Sequence, residues 1–197
     1  GIEQLYGVPA ESLELPTIIR FGSWVGGDMD GNQDVHAKSI RETLARHQQV
    51  IVNEYFADCQ RLAQLLSQSA SRIGVSAALQ TRIDQYSTLL PGAQSATPAR
   101  HDRMPYRVFL TQIAERLRCT YDVRPNAYEG PEQLLRDVRL IAQSLHDNRG
   151  ANAGYFNVMR LIRRIETFGF HLATLDVRQH ANVHHYVIGL GIGDAEW

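Results

Sequence analysis

The sequence predicts a mainly α-helical fold with a few short strands, and three observations carry that expectation. Apolar residues recur at three- and four-residue spacing through five windows between residues 34 and 168, the stripe of a half-buried helix. Only two stretches favour extended backbone: 17–25, rich in β-branched and aromatic residues, and 170–177, which alternates with period two. No internal repeat or low-complexity tract divides the chain, so its 197 residues, 44% of them hydrophobic, can build a substantial core. One unit over 1–197 is expected: a strand and Gly/Asp loop at 17–33, a helical part at 34–168, and a strand ending in an arginine at 170–179.

The elements follow in order. The first 14 residues carry no strong period; Pro16 then opens Thr17–Val25, a strand that runs into a loop at a glycine pair. Asp34 is a plausible N-cap for a long helix whose apolar face is Ile40, Leu44, Ile51, Tyr55, Cys59, Leu62 and Leu66. A second helix, Val75–Leu90, stops at Pro91-Gly92 and gives way to a polar loop. Pro105 starts a third, with Val108, Ile113 and Leu117 inward. Windows 131–147 and 154–168 make two more, separated by the turn Asn148–Gly154. After Gly169 comes the second strand, with Arg178-Gln179 at its C-terminal end. Two strands alone are marginal in water, so either they pair with each other or their neighbours are missing. With a first residue Gly and a last residue Trp197, the chain is expected to be a piece of a larger enzyme.

Composition narrows the function. Twenty basic and 21 acidic side chains leave a net charge of −1, and 8% aromatics with no basic stripe argue against a nucleic-acid binder. Residues 1–60 hold 4 basic and 9 acidic groups, so a mild basic excess falls in the remainder. Lys38 is the single lysine. Arginine forks suit planar recognition of phosphate and carboxylate, although a compositional habit accounts for the bias equally well. Cys59 and Cys119 lie far apart without a C-x-x-C pair, which fits buried thiols in a reducing, cytoplasmic compartment. No apolar run is long enough to span a membrane, and residues 1–10 lack the layout of a signal peptide.

Two segments stand out chemically. The run FGSWVGGDMDGN, Phe21–Asn32, is denser in Gly and Asp than a turn needs, and Gly26 and Gly27 would let backbone N–H groups approach a ligand closely. Asp28-x-Asp30-Gly31-Asn32 looks like the start of a calcium loop, but Gln33 and Ser39 occupy the positions that need Gly and Glu. Neither nucleotide fingerprint is present. The plainer alternative is a tight strand-to-helix connection whose aspartates cap the long helix. The second segment, LDVRQ, puts Arg178 at a strand end, where a surface ion pair is the ordinary role. Both segments lie just past the C-terminal end of a strand, the place where β/α barrels assemble active sites.

These residues resemble the middle portion of the phosphoenolpyruvate carboxylase family. FGSWVGGDMDGN is similar to its F-x-S-W-x-G-G-D-R-D-G-N-P signature, PYR at Pro105–Arg107 opens a matching helix, and FGFHLATLDVRQ is similar to its F-G-x-x-L-x-x-L-D-I-R-Q. The resemblance implies a fragment of a β/α-barrel enzyme with large helical additions. That enzyme carboxylates phosphoenolpyruvate with bicarbonate, through carboxyphosphate and an enolate, to oxaloacetate and phosphate. It implies that Arg178 is the catalytic arginine, that Trp24, Gly26, Gly27, Asp28, Asp30 and Asn32 form an active-site loop, and that Gln179 supports the arginine. Mg²⁺ or Mn²⁺ is implied as cofactor, with ligands outside this chain and none within it. The implied partners are the remainder of its own chain and further copies in a tetramer, with no nucleic acid and no membrane. The family's T-A-H-P-T-E motif and Gly-rich mobile loop are absent, so the piece alone is expected to be inactive. Met29 stands where the family has Arg, Gln33 where it has Pro, and His180-Ala181 where it has Glu-Ser. The missing arginine leaves Asp28 and Asp30 in need of another cation.

Three further features remain. Arg100, Arg103 and Arg107 cluster across a loop and a helix start, a place suited to an allosteric anion, and the resemblance puts Arg107 in a sugar-phosphate activator region. His180, His184 and His185 include a pair at helical spacing, but with no carboxylate placed to complete a metal site they read as solvated or packing residues. Arg160, Arg163 and Arg164 read as a solvated helix face. The rival to an enzyme is a non-catalytic helical regulatory or interaction module; a T-A-H-P-T-E motif in the flanking sequence would decide between them.

Overall fold

Seven helices and two strands are described by a computed structural model over residues 2–7, 16–32, 34–67, 74–93, 103–148 and 150–193. After the short α1 (Ile2–Tyr6) and β1 (Gly22–Ser23), α2 (Ala37–Leu65) forms the axis of the helical body. Its N-cap is His36, not Asp34. The His36 ring nitrogen accepts from the Ser39 amide at 3.4 Å, the Ser39 hydroxyl accepts from the His36 amide, and that hydroxyl donates to the Asp34 carbonyl at 2.9 Å. Asp34 therefore contributes its backbone, and no loop aspartate caps the helix. The residues α2 buries run from Ile51 onward, so Leu44, expected inward, is 45% exposed.

Helix α3 (Ala77–Leu89) starts at Ser76, whose hydroxyl accepts from the Leu79 amide, and stops before Pro91-Gly92. Helix α4 (Pro105–Tyr121) has proline at its first position, where no amide is needed, and buries Phe109, Leu110, Ile113 and Leu117. It packs most extensively on α2. Helices α5 (Pro131–Asp147) and α6 (Tyr155–Phe168) form a hairpin across a 3₁₀ turn at Gly150–Asn152. Their apolar stripes, Leu134, Val138, Ile141 and Leu145 against Val158, Leu161, Ile162 and Ile165, close the core. Both cysteines are buried free thiols, and burial pushes the Cys59 thiol up.

A charged knot sits inside this core. Asp137 of α5 is fully buried and accepts from Tyr86 Oη (2.6 Å), Tyr128 Oη (2.8 Å) and Arg82 Nη1 (2.6 Å), with Arg116 Nη1 3.8 Å away. The Arg116 guanidinium lies over the Tyr128 ring and donates to the carbonyls of Asn126 and Ala127 and to Gln133 Oε1. One carboxylate thereby fastens α3, α4, α5 and the 122–130 loop together.

The strands are shorter than their sequence suggested. β1 pairs in parallel with β2 (Thr174–Leu175), Gly22 opposite Thr174 and Ser23 opposite Leu175. Strand length is set by what a strand pairs with, and among the described residues these two have only each other; Ile18 and Ile19 stay exposed. Residues 170–173 form turns, with Gly169 and Leu172 both at positive φ. The chain then forms α7 (Ala181–Ile192), N-capped by His180, whose apolar side chains are largely exposed. Among the described residues no helix is long and apolar enough to cross a membrane.

Candidate functional site

The parallel register brings the two unusual segments together. Because β1 and β2 run the same way, their C-terminal ends coincide, and the ladder resumes beyond them with a bridge between Asp28 and Arg178. The Met29 amide donates to the Arg178 carbonyl (2.8 Å) and the Arg178 amide to the Gly27 carbonyl (3.0 Å). Four residues, Trp24–Gly27, separate the paired positions on the first chain where Asp176 and Val177 suffice on the second. The excess is taken up in a tight turn, with the amides of Gly27 and Asp28 both donating to the Trp24 carbonyl. Trp24 and Val25 occupy its exposed tip.

The two glycines are needed for different reasons. Gly26 has φ +82° and lies against the Thr43 side chain of α2. Gly27 is buried, and a methyl group there would overlap the Asp176 carbonyl. The turn can pack only as bare backbone between β2 and the long helix.

Arg178 Nη1 lies 3.5 Å from Asp28 Oδ2, with the arginine side chain 60% exposed. So long and open a pair is weak, and it leaves most of the five guanidinium donors free for an anion. This contact also answers the absence of arginine at Met29: Asp28 takes its cation from across the ladder. The other oxygen of Asp28 accepts from the Asp30 amide, Asn32 Oδ1 accepts from the Asp34 amide, and the Asp30 side chain is exposed. Gln179 is half-buried and turns its Oε1 to the His180 amide rather than to the arginine.

The other candidate residues lie elsewhere. Arg107 Nη1 donates to Ser67 Oγ (2.8 Å) on the wall of a cavity of about 390 Å³ between α2 and α4, which Arg118 also lines. Arg103 is exposed in the turn before α4, and Arg100 falls outside the described residues. His180 Nδ1 accepts from the Asn182 amide, and His184 and His185 are exposed. Among the described residues no three His, Cys, Asp or Glu side chains converge to hold a metal ion. The solvated face expected at Arg160–Arg164 needs correction, because Arg164 Nη1 reaches Asp58 of α2 (2.6 Å) and Arg163 pairs with Glu166 (3.2 Å). Sequence reasoning placed Tyr55 only on an apolar face and missed its hydroxyl, which donates to the carbonyls of Arg164 and Gly169 and so fixes the end of α6 from which β2 departs.

Known proteins are similar to this chain along its whole length. The family described as phosphoenolpyruvate carboxylase matches residues 2–192. A phosphoenolpyruvate carboxylase of Xanthomonas campestris pv. campestris (strain 8004) is 43% identical over 197 residues, all of this chain and 22% of that protein. Those of Nocardia farcinica (strain IFM 10152), 34% identical, and Burkholderia vietnamiensis (strain G4 / LMG 22486), 30% identical, match 91% and 93% of this chain and 20% and 19% of theirs. The chain thus spans about a fifth of the length of the curated relatives it matches. With the match running from the first helix to the last, the chain belongs to the phosphoenolpyruvate carboxylase family.

Proposed function

We propose that this chain is part of an enzyme that carboxylates phosphoenolpyruvate with bicarbonate, and that Arg178 is its contact to the transferring phosphoryl group. The observation that carries this reading is the ladder itself. It holds a half-free guanidinium at the C-terminal end of a parallel strand pair, beside a glycine turn that a side chain would fill. Further strands beside β1 and β2 would make this the mouth of a β/α barrel.

In the proposed reaction a bicarbonate oxygen attacks phosphorus and the bond from phosphorus to the enol oxygen breaks. The resulting carboxyphosphate and enolate then form oxaloacetate and release phosphate. Negative charge spreads over the phosphoryl oxygens during the first step, and a planar guanidinium fork whose main chain is held by the ladder neutralises it. Asp28 limits the swing of that fork. In this reading Trp24 and Val25, at the exposed tip of the turn, cover the reacting groups from water, and Asp30 and Asn32 shape the outer side of the loop. The divalent cation implied by the family finds no ligand set among the described residues, and no step assigned to them runs through it. The base and the remaining ligands would come from the rest of the parent protein, a cytoplasmic homo-oligomer in this reading, so residues 1–197 alone are expected to be inactive. Arg107, with its cavity, is the part to test for allosteric anion binding.

The decisive experiment is Arg178→Lys in the intact protein. Lysine keeps the charge and loses the fork, so kcat should fall by about one to three orders of magnitude with a smaller change in KM. If Arg178 served only as a surface pair to Asp28, kcat would stay near wild type.

A further inference from the structure

The groove between α2 and α6, of about 250 Å³, is lined by Asp58 and Arg61 from one helix and by Asn157, Arg160 and Arg164 from the other, over the buried side chains of Leu62 and Leu161. Three guanidiniums face one carboxylate. Both oxygens of Asp58 are engaged, Oδ1 by Arg61 (2.5 Å) and Oδ2 by Arg164 (2.6 Å). That carboxylate is only 15% exposed and anchors both arginines, whose side chains remain 61% and 42% exposed. Arg160 lies one turn from Arg164 on the same side of α6, and among the described residues it makes no ion pair. With Glu54 of α2 also acting on Arg61, the groove carries an excess charge between +1 and +2 above an apolar floor, built from two helices that pack on each other.

We propose that this groove is a binding site for a small phosphate monoester. A monoester near neutral pH carries between one and two negative charges, close to the local excess, and presents three acceptor oxygens to three forks. A carboxylate fits less well, since Asp58 already fills that role between Arg61 and Arg164. The cavity lies just below the size of drug-sized pockets, so the ester must be small, its carbon body resting on Leu62 and Leu161. None of the lining residues belongs to the glycine turn or to β2. Occupancy would still be felt there, because the Arg164 carbonyl and the Gly169 carbonyl share the Tyr55 hydroxyl.

The test is calorimetric titration of the intact protein with glycerol phosphate, with acetate as the monocarboxylate control. Wild type should bind glycerol phosphate saturably and acetate much more weakly. Arg160→Gln removes a cation that supports no other contact and should weaken binding roughly five- to tenfold. Asp58→Asn frees the other two forks and should tighten it, provided circular dichroism shows the helices intact. Binding at any other place in the protein, the Arg178 strand end included, would survive Arg160→Gln. Unchanged affinity in that variant, equal binding of acetate, or no binding of glycerol phosphate would each overturn the proposal.

Discussion

Replacing Asp137 by Asn tests the reasoning about the core most directly. The substitution keeps shape and volume and removes one charge from a site where Asp137 is fully buried and Arg116 is only 11% exposed. Two arginines then lose their counter-charge, and two hydroxyls that donate to the carboxylate at 2.6 and 2.8 Å lose their ionised acceptor. Breaking a buried pair from one side costs about 3 to 5 kcal/mol, because the remaining cation stays desolvated. Arg82 is half open to water and softens the loss, so about 3 kcal/mol is the expected figure. Against a total of about 5 to 15 kcal/mol that is a large fraction. Urea unfolding followed by far-ultraviolet circular dichroism measures it. Asp122→Asn, which removes an exposed pair with Arg124 (3.1 Å), is the control and should cost under about 1 kcal/mol. If both variants lose the same small amount, Asp137 does not hold the helices together and the account of the core is wrong.

Burial raises the hydroxyl pKa of Tyr55, Tyr86, Tyr106 and Tyr128 above the ordinary value near 10. The folded state therefore keeps protons that the unfolded state releases, and stability is full below about pH 10 and falls above it by about 1.4 kcal/mol per pH unit per tyrosine. Denaturant titrations across that range should show the slope, and a flat profile would contradict the burial. Gly27→Ala forces the turn off the Asp176 carbonyl and should lower the activity of the intact protein by about an order of magnitude with the helices unchanged. Gly31→Ala, at φ +70° in open space, should cost only backbone strain of about 1 kcal/mol. Purified 1–197 should self-associate through exposed Ile18, Trp24, Tyr186 and Leu190; a single monomer boundary at all concentrations in sedimentation velocity would refute that.

The helices were legible because each buries a regular stripe, and α5 begins and ends where its pattern does. Asp137 was legible only as an interruption, a carboxylate three residues after Leu134 and four before Ile141 on a buried face, and nothing local names its partners. His36 escaped notice because histidine rarely caps, and it succeeds here through a reciprocal bond with Ser39. The strand lengths could not be read from residue type, since pairing depends on neighbours far away in sequence. The meeting of Asp28 with Arg178 was foreseeable in outline, both segments being strand ends, but its register was not. Arg160, Arg163 and Arg164 look alike in sequence, and only the position of Asp58 on another helix separates their roles.

Gly22 and Thr174 are 152 positions apart in the chain, yet they are neighbours in the ladder. Closing so long a segment costs about 4 to 5 kcal/mol in an unfolded chain, comparable to what the few hydrogen bonds of so short a ladder return. The pair therefore cannot nucleate; it waits until the helices have shortened the path between its halves. During synthesis β1 is made roughly 8 to 30 s before β2. Throughout that interval the edge of β1 that β2 will take, and an empty glycine turn, stand open, and a chaperone or a neighbouring nascent chain would find them before Arg178 does.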